Sequence, residues 1–222
     1  MNLIVRILKS LRARSFKTNC STWYLSRTQT AEKTTIKYKP SLQYEFRILE
    51  GDDKELLHQW LFDNRIRYPW IYFHDEILSS NQNEHWYPCL FDGERLIAWV
   101  KLAQTNVFIH DFESTIPLPE GLAFIYDTFV DPDYRKQGLG HLVIERMKSH
   151  LASVDYHTVA CHIEDWNTSS VSIFKSSGFK PIGKIRYLRL TFFRCLLIDG
   201  KLRRLSSLTQ WLRHKTEGAG KI

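Results

Sequence analysis

Apolar and polar residues follow two different periods along this chain, and the alternation between them predicts a protein that mixes strands with helices. Strand-like runs occupy residues 43–49, 86–91, 95–103, 123–130, 158–163 and 179–198. Helix-like runs occupy residues 52–64, 73–80, 141–151 and 169–177. Asp92-Gly93 predicts a tight hairpin, whereas the prolines in residues 116–120 predict a loop. The pattern therefore favours a mixed α/β (α+β) domain.

The two ends of the chain carry a charge opposite to that of the middle. Residues 1–40 have a net charge of +8, residues 41–183 of −9 and residues 184–222 of +8, within a total of +7. Each end also contains a basic amphipathic stripe, with Leu3, Ile4, Ile7, Leu8 and Leu11 at one end and Leu202, Leu205, Leu208, Trp211 and Leu212 at the other. We expect a basic extension over residues 1–40, one domain over 41–200 and a basic tail over 201–222.

Three interpretations of the N-terminal extension remain open. It is a frayed tail or docking helix, a helix held on an anionic membrane surface, or an organelle transit peptide rich in Arg and Ser. Composition does not separate them. The resulting expectation is a cytoplasmic protein, with peripheral membrane contact, protein contact or organelle targeting assigned to its basic ends.

Composition also excludes several classes of protein. No run reaches the roughly 18 to 20 apolar residues that a membrane-spanning helix needs. The four cysteines are far apart and predict reduced residues rather than zinc ligands or disulfides, so no metal is expected. The acidic middle lacks a basic groove with interleaved aromatic residues, so no nucleic-acid partner is expected.

A glycine-rich turn of residues 135–140, Arg-Lys-Gln-Gly-Leu-Gly, joins the strand at 123–130 to the helix at 141–151. Pro132 ends the strand, because proline cannot continue a hydrogen-bonded ladder. Glycines allow the backbone to approach a ligand closely, and the following helix directs its free N–H groups and positive dipole end towards an anion. The turn is therefore a candidate phosphate site at the carboxyl end of a strand.

A second segment stands in a matching place. Asn167 follows the strand at 158–163, and Gly178-Phe179 follows the short helix after it. The interval between Gly140 and Asn167 accommodates one helix and one return strand. If the two strands are neighbours, Asn167 lies beside the glycine turn.

Together the two segments resemble the GNAT superfamily of acyl-CoA-dependent N-acyltransferases. The resemblance rests on V-D-P-x-Y-R-x-x-G-x-G over residues 130–140 and on Asn167 with Gly178-Phe179, in the order and spacing of the family. It implies a mixed, mostly antiparallel central sheet flanked by helices, with a V-shaped splay of two strands for CoA. It also implies an N-acetyltransferase that moves an acetyl group from acetyl-CoA to a primary amine of a small molecule, peptide or protein.

The resemblance further assigns residues that bind the co-substrate acetyl-CoA. The backbone amides of Lys136, Gln137, Gly138, Leu139 and Gly140 would hold the pyrophosphate. Arg135 would supply charge there or make a surface ion pair. Main-chain groups of Phe129 and Val130 would pair with pantetheine. Asn167 would contact the same arm or cap the helix that begins near Ser169. Phe174 would pack against pantetheine.

Acyl transfer to an amine needs a base for the amine, a polarised carbonyl and a stabilised or protonated thiolate. GNAT enzymes attack directly, without an acyl-enzyme. Asp127 is the first candidate base, although a buried structural carboxylate is an equal interpretation. Tyr126 is expected on the opposite face, and His110 and Asp111 are further candidates. Phe174 replaces the family's usual thiolate-protonating Tyr, so solvent, Tyr126 or direct thiolate release must serve.

An alternative function follows from Phe174 and the charged ends. The chain would then be a catalytically silent CoA-binding module that its basic ends place on a membrane or a partner protein. The acceptor pocket is expected from residues 65–83 and 106–122, whose acidic and aromatic side chains suit a cationic amine. Aromatic residues at helical spacing, such as Trp60, Trp70 and Phe73, are equally typical of a core. The acceptor amine, the acyl length and the oligomeric state stay open.

Overall fold

The computed structural model describes residues 16–28, 44–49, 53–64, 85–109, 114–190, 193–198 and 201–203. In chain order the elements are β1 (Phe16–Arg27), β2 (Glu45–Leu49), α1 (Lys54–Asn64), β3 (His85–Asp92), β4 (Arg95–Ala103), β5 (Asn106–Ile109), β6 (Ser114–Pro117), β7 (Leu122–Val130), α2 (Leu139–Ser153), β8 (Thr158–Glu164), α3 (Thr168–Ser176), β9 (Lys180–Leu190), β10 (Phe193–Ile198) and β11 (Lys201–Arg203). The helix expected at 73–80, the N-terminal stripe and most of the C-terminal stripe lie outside the described residues.

One large sheet organises these elements. Its strands follow the order β11-β10-β9-β1-β8-β7-β4-β3-β2. The pair β7 and β8 is parallel, whereas the other neighbouring pairs are antiparallel. The predicted mixed, mostly antiparallel sheet with flanking helices is confirmed.

The strand β1 lies in the interior of this sheet, antiparallel to both β8 and β9. The sequence pattern assigned these residues to the basic extension that precedes the domain. In the structure the side chains from Ser21 to Ser26 are buried, and Trp23 is fully buried. The described part of the extension is therefore a sheet strand.

A small hairpin of β5 and β6 stands apart from the large sheet. Its second strand, β6, ends inside residues 116–120, where the prolines predicted only a loop. Pro117 ends β6 and pairs with Asn106, the first residue of β5. It therefore occupies a terminal position, where a strand tolerates proline.

Apolar side chains form a cluster on one face of the sheet and two on the other. The helices α2 and α3 cover the first cluster, which includes Ile125 and Met147. On the opposite face the β5–β6 hairpin covers the cluster around Trp23 and Phe124, and α1 covers the cluster around Trp99. The strands alternate between these faces, as their period of two requires.

Candidate active site

The glycine turn, residues 135–140, has the backbone geometry of an anion cradle. Lys136 and Gly138 both adopt left-handed conformations, with φ of 63° and 81°. Left-handed residues that alternate with ordinary ones turn successive N–H groups towards one concave side. Gly138 is also the N-cap of α2 without a capping side chain, so the first N–H groups of that helix face the same region. The predicted cradle therefore has a physical basis.

A network of side chains holds the approach to this turn. The buried Asp131 accepts a hydrogen bond from the backbone N–H of Asp133 at 3.0 Å and caps the 3₁₀ turn Pro132–Tyr134. Arg95, at the start of β4, donates to Asp131 and Asp133, each at 2.9 Å. These two hydrogen bonds raise the pKa of Arg95. The guanidinium also lies 5.0 Å from the ring centre of Tyr134. The turn is therefore fixed before any ligand arrives.

Gly140 is needed for close packing and not for an unusual backbone conformation. A Cβ placed there would lie 3.2 Å from Cδ1 of Ile173 and 3.6 Å from Cγ2 of Val130. The glycine therefore lets α2 approach α3 and β7 closely. Its neighbour Gly138 has the different role of adopting a positive φ.

Two side chains of the turn are oriented by contacts within the protein. Arg135 donates from Nε to the backbone carbonyl of Val130 at 3.1 Å. Tyr44 donates its hydroxyl to Oε1 of Gln137 at 3.4 Å. Arg135 thus remains beside the cradle with its terminal NH₂ groups at an exposed position.

The parallel strands β7 and β8 separate next to this turn. Their pairing begins at Leu122 with Thr158 and ends at Ile125 with Cys161. Beyond that pair a pocket of about 120 Å³ opens between the strands, lined by Ile125, Tyr126, Asp127, Thr128, Cys161, His162, Ile163, Glu164, Asn167, Ser170 and Phe174. The V-shaped separation expected from the resemblance is present.

Backbone directions along β7 revise the pantetheine contacts predicted from the sequence. The backbone N–H of Asp131 donates to the carbonyl of Ile97 on β4 at 2.8 Å. Phe129, two residues before Asp131, pairs with Trp99 of β4. The backbone N–H and C=O groups of successive residues point to opposite sides of an antiparallel strand, so those of Phe129 also point to β4. Those of Thr128 and Val130 point into the separation. Phe129 instead buries its side chain against Trp99.

Thr128 is a pocket residue that the sequence did not single out. Its Oγ1 is buried and has no hydrogen-bond partner among the described residues. A buried hydroxyl without a partner carries a desolvation penalty of about 1–3 kcal/mol. It therefore fits a site that a polar ligand completes.

Asp127 and Tyr126 lie together at a β-bulge in β7. Lys101 of β4 pairs with Asp127 and Leu102 pairs with Ile125, which leaves Tyr126 as the extra residue. The side-chain nitrogen of the buried Lys101 lies 4.9 Å from the Tyr126 ring centre, so Lys101 and Tyr126 share the face of the sheet that the β5–β6 hairpin covers. Asp127 is paired with Lys101 and therefore lies on the same face. The prediction that Tyr126 faces away from Asp127 is wrong, because the bulge interrupts the alternation.

Neighbouring groups define the surroundings of this pair. Burial raises the pKa of Tyr87, and the charge of Asp127 raises it further. The hydroxyl of Tyr126 accepts a short hydrogen bond from the backbone N–H of Phe108 on β5. Asp127 therefore stands between an apolar core and a polar pocket, whereas the Tyr126 hydroxyl is held at the hairpin.

Asn167 and Phe174 border the pocket from α3. Asn167 caps that helix, because its Oδ1 accepts from the N–H of Ser170 at 3.2 Å and from Oγ of Ser169 at 3.1 Å. The capping alternative is thus present, and the amide still lines the pocket. Phe174 is buried edge-to-face against Phe179, with ring centres 5.0 Å apart.

The strand β1 anchors the loop that carries Asn167. Asp165 accepts hydrogen bonds from Thr22 at 2.7 Å, Lys184 at 3.0 Å and the thiol of Cys20 at 3.3 Å. Burial would raise the pKa of Asp165, but these hydrogen bonds lower it overall. The sequence contained no local signal for this arrangement, because its partners come from distant segments.

Several predicted groups cannot be placed. His110, Asp111 and the acceptor-site residues 65–83 lie outside the described residues. Within the described ranges, no group of three or more His, Cys, Asp or Glu residues could hold a metal ion. The helices of the same ranges are too short or too polar to cross a membrane.

Comparisons with known proteins agree with this architecture. The sequence pattern of the Acetyltransferase (GNAT) family matches residues 46–179. N-alpha-acetyltransferase 60 of Danio rerio is 24% identical over 151 residues, which are 62% of this chain and 60% of that protein. The chain thus spans about three fifths of that relative's length.

Two solved structures share the fold. One is a GCN5-related glucosamine N-acetyltransferase region of a fungal GH3 β-N-acetylglucosaminidase, with a TM-score of 0.54, 14% identity and coverage of 84% of this chain and 23% of that one. The other is a functionally unknown protein of Staphylococcus epidermidis, with a TM-score of 0.52, 10% identity and coverage of 86% and 69%. The family pattern spans more than half of the chain and includes both the glycine turn and the strand separation. The chain therefore belongs to the GNAT acetyltransferase family.

Proposed function

We propose that the protein transfers an acetyl group from acetyl-CoA to a primary amine by direct attack. The observation that carries this proposal is the continuity of the site. The anion cradle at the glycine turn lies at the carboxyl end of β7, and the same strand lines a pocket that contains Asp127. One extended ligand with a phosphate at one end and a reactive group at the other suits this arrangement.

The described groups fit CoA in three places. The N–H groups of residues 136–140 would hold the pyrophosphate, with Arg135 beside them. The backbone of Thr128 and Val130 would pair with pantetheine, and the orphaned Thr128 hydroxyl would gain a partner. Asn167 has Nδ2 available at the pocket, since Oδ1 serves the helix cap.

Asp127 is the proposed base for the acceptor amine. The amine nitrogen bonds to the thioester carbonyl carbon, its proton passes to the Asp127 carboxylate directly or through water, and the carbon–sulfur bond breaks. The products are an acetamide and the CoA thiolate, which takes up a proton to give the thiol. The relatives named above suggest two acceptor classes for testing, namely peptides with a free α-amino group and glucosamine.

Acetyl-CoA binding by calorimetry tests the first half of the proposal. Gly138→Glu should abolish binding, because a side chain at φ 81° distorts the cradle and its charge repels phosphate. Gly93→Glu is the matched control, since Gly93 also has a positive φ but lies in the β3–β4 hairpin with open space around it. Failure of the folded wild-type protein to bind acetyl-CoA would refute the proposal.

Release of CoA in the presence of an amine panel tests the second half. Asp127→Asn should lower the rate by about 10²- to 10⁴-fold and leave acetyl-CoA affinity nearly unchanged. Asp155→Asn, at an exposed turn after α2, is the control and should retain the wild-type rate. Equal rates for Asp127→Asn and wild type would exclude Asp127 as the base.

A silent CoA-binding module is the second candidate, and Phe174 favours it. This ring is buried against Phe179 and has no proton to give to a thiolate. Retained acetyl-CoA binding without turnover across peptide, glucosamine and small-amine panels would support this candidate. Sedimentation with anionic but not neutral liposomes would then test the proposed role of the basic ends.

A further inference from the structure

His162 stands at the apex of the strand separation. The last pair of the parallel ladder joins Ile125 to Cys161, so His162 is the first residue of β8 beyond it, as Tyr126 is on β7. Both side chains line the pocket. A thioester that enters along β7 towards Asp127 would have its sulfur near this apex. The placement rests on the function proposed above.

The His162 ring packs against a pair of aromatic side chains that also contact each other, with their ring centres 5.4 Å apart. It stacks on Trp23 of β1 with ring centres 5.6 Å apart and on Phe124 of β7 with centres 5.9 Å apart, each at an interplanar angle of 27°. Trp23 and Phe124 are fully buried. The plane of the imidazole is therefore fixed, as a directional proton donor requires.

The other aromatic residues of the pocket are poor donors to this sulfur. Phe174 has no exchangeable proton, and the Tyr126 hydroxyl is held by the backbone N–H of Phe108 on the hairpin. Histidine exchanges a proton near neutral pH, which suits an acid that must be restored in each cycle. We infer that His162 donates the proton that the departing CoA sulfur receives.

The step balances with Asp127 as base. The amine proton passes to Asp127 as the nitrogen–carbon bond forms. The imidazolium form of His162 passes a ring proton to sulfur as the carbon–sulfur bond breaks, which leaves a neutral imidazole. Asp127 then returns its proton and His162 regains one through solvent, so no oxidant or further reactant is needed.

Other charged groups share the pocket and will influence any pH profile. Asp127 and Tyr126 face it from β7, and Glu164 faces it from β8. Behind Tyr126 lie Lys101 of β4 and His85 of β3. The test therefore needs a readout specific to the sulfur as well as a rate.

The sulfur-specific readout is the ultraviolet absorbance of the thiolate of bound CoA during a pH titration. On the wild-type protein the thiol should ionise at a lower pH than on His162→Phe, which keeps an aromatic ring packed against Trp23 and Phe124. Acetyl transfer by His162→Phe and His162→Gln should fall by about 10²-fold or more, with acetyl-CoA affinity within about threefold of wild type. His157→Gln, an exposed histidine of the α2–β8 turn, should behave as wild type.

Two outcomes would overturn the inference while the proposed function stands. These are a wild-type thiol titration on His162→Phe, or unchanged transfer by both variants. Absence of CoA binding by the wild type would instead refute the proposed function itself. If neither variant folds, the imidazole resonances of the wild type decide, because the His162 signal should shift with CoA and not with desulfo-CoA; equal shifts would reject the contact.

Discussion

Replacing Thr128 by Val should stabilise the free protein and weaken its binding of acetyl-CoA. The hydroxyl of Thr128 is buried beside the pocket without a hydrogen-bond partner among the described residues. Valine has nearly the same shape and leaves no polar group to desolvate. Since an unsatisfied buried hydroxyl costs about 1–3 kcal/mol, the unfolding free energy should rise by about 1 kcal/mol.

The expected loss in binding has the same origin. If the hydroxyl bonds to the pantetheine arm, its removal forfeits one hydrogen bond of about 1 kcal/mol, which corresponds to roughly a fivefold weaker affinity. Urea unfolding without ligand and calorimetry with acetyl-CoA measure the two effects separately. Near-saturating acetyl-CoA should therefore stabilise the variant less than the wild type.

Thr22→Val provides the matched control for stability. The Thr22 hydroxyl is also in a buried strand, but it donates to Asp165 at 2.7 Å. Its loss should lower the unfolding free energy by about 1 kcal/mol, the opposite sign. The reasoning would fail if Thr128→Val left stability unchanged or lowered it, or if its acetyl-CoA affinity equalled that of the wild type.

Three further predictions concern the elements around the site. Gly140→Ala should lower the unfolding free energy by up to about 2 kcal/mol, because overpacking against Ile173 outweighs a helix-propensity gain of about 1 kcal/mol. Ile173→Val removes the crowding Cδ1, so in that background Gly140→Ala should raise the unfolding free energy measured in urea. Arg95→Gln should weaken acetyl-CoA binding several-fold, because it leaves the buried Asp131 without its cation. Arg47→Gln, which breaks the exposed pair with Glu45, should leave the affinity unchanged. Equal calorimetric affinities for the two variants would contradict the role of Arg95 in holding the turn. The pKa of Asp165 is lowered in the folded state, so the ionised carboxylate stabilises the fold fully above the ordinary carboxyl pKa of about 3.9, and this contribution is lost as pH falls through the lowered value. Asp165→Asn should therefore flatten the acidic part of a plot of Tm against pH. An unchanged slope would contradict this role of Asp165.

Sequence patterns located the cradle but missed how the strands around it are built. The glycine turn, β7, β8 and α3 were predictable because each has a local signal, namely alternation, a strand-ending proline or a capping residue. The bulge at Tyr126 was not predictable, because an extra residue is visible only in the register with β4. For the same reason the faces of Tyr126 and Asp127 could not be assigned.

The strand β1 was missed for a different reason. Its segment is rich in Ser, Thr and basic residues and resembles a solvated extension. Ser21, Thr22 and Ser26 are nevertheless buried, because both neighbouring strands satisfy the backbone and Asp165 satisfies a side chain. Only the partners, which come from the far end of the chain, show this.

The central position of β1 also constrains how the chain can fold. Thr22 contacts Asp165, 143 positions further along the chain. Closing a flexible loop of that length costs about 4 kcal/mol in chain entropy before the contact stabilises anything. During synthesis, β1 leaves the ribosome before both of its neighbours, β8 and β9, and waits for them. We therefore expect a late, slow docking of β1 that completes the sheet and, with it, the Trp23 wall behind His162.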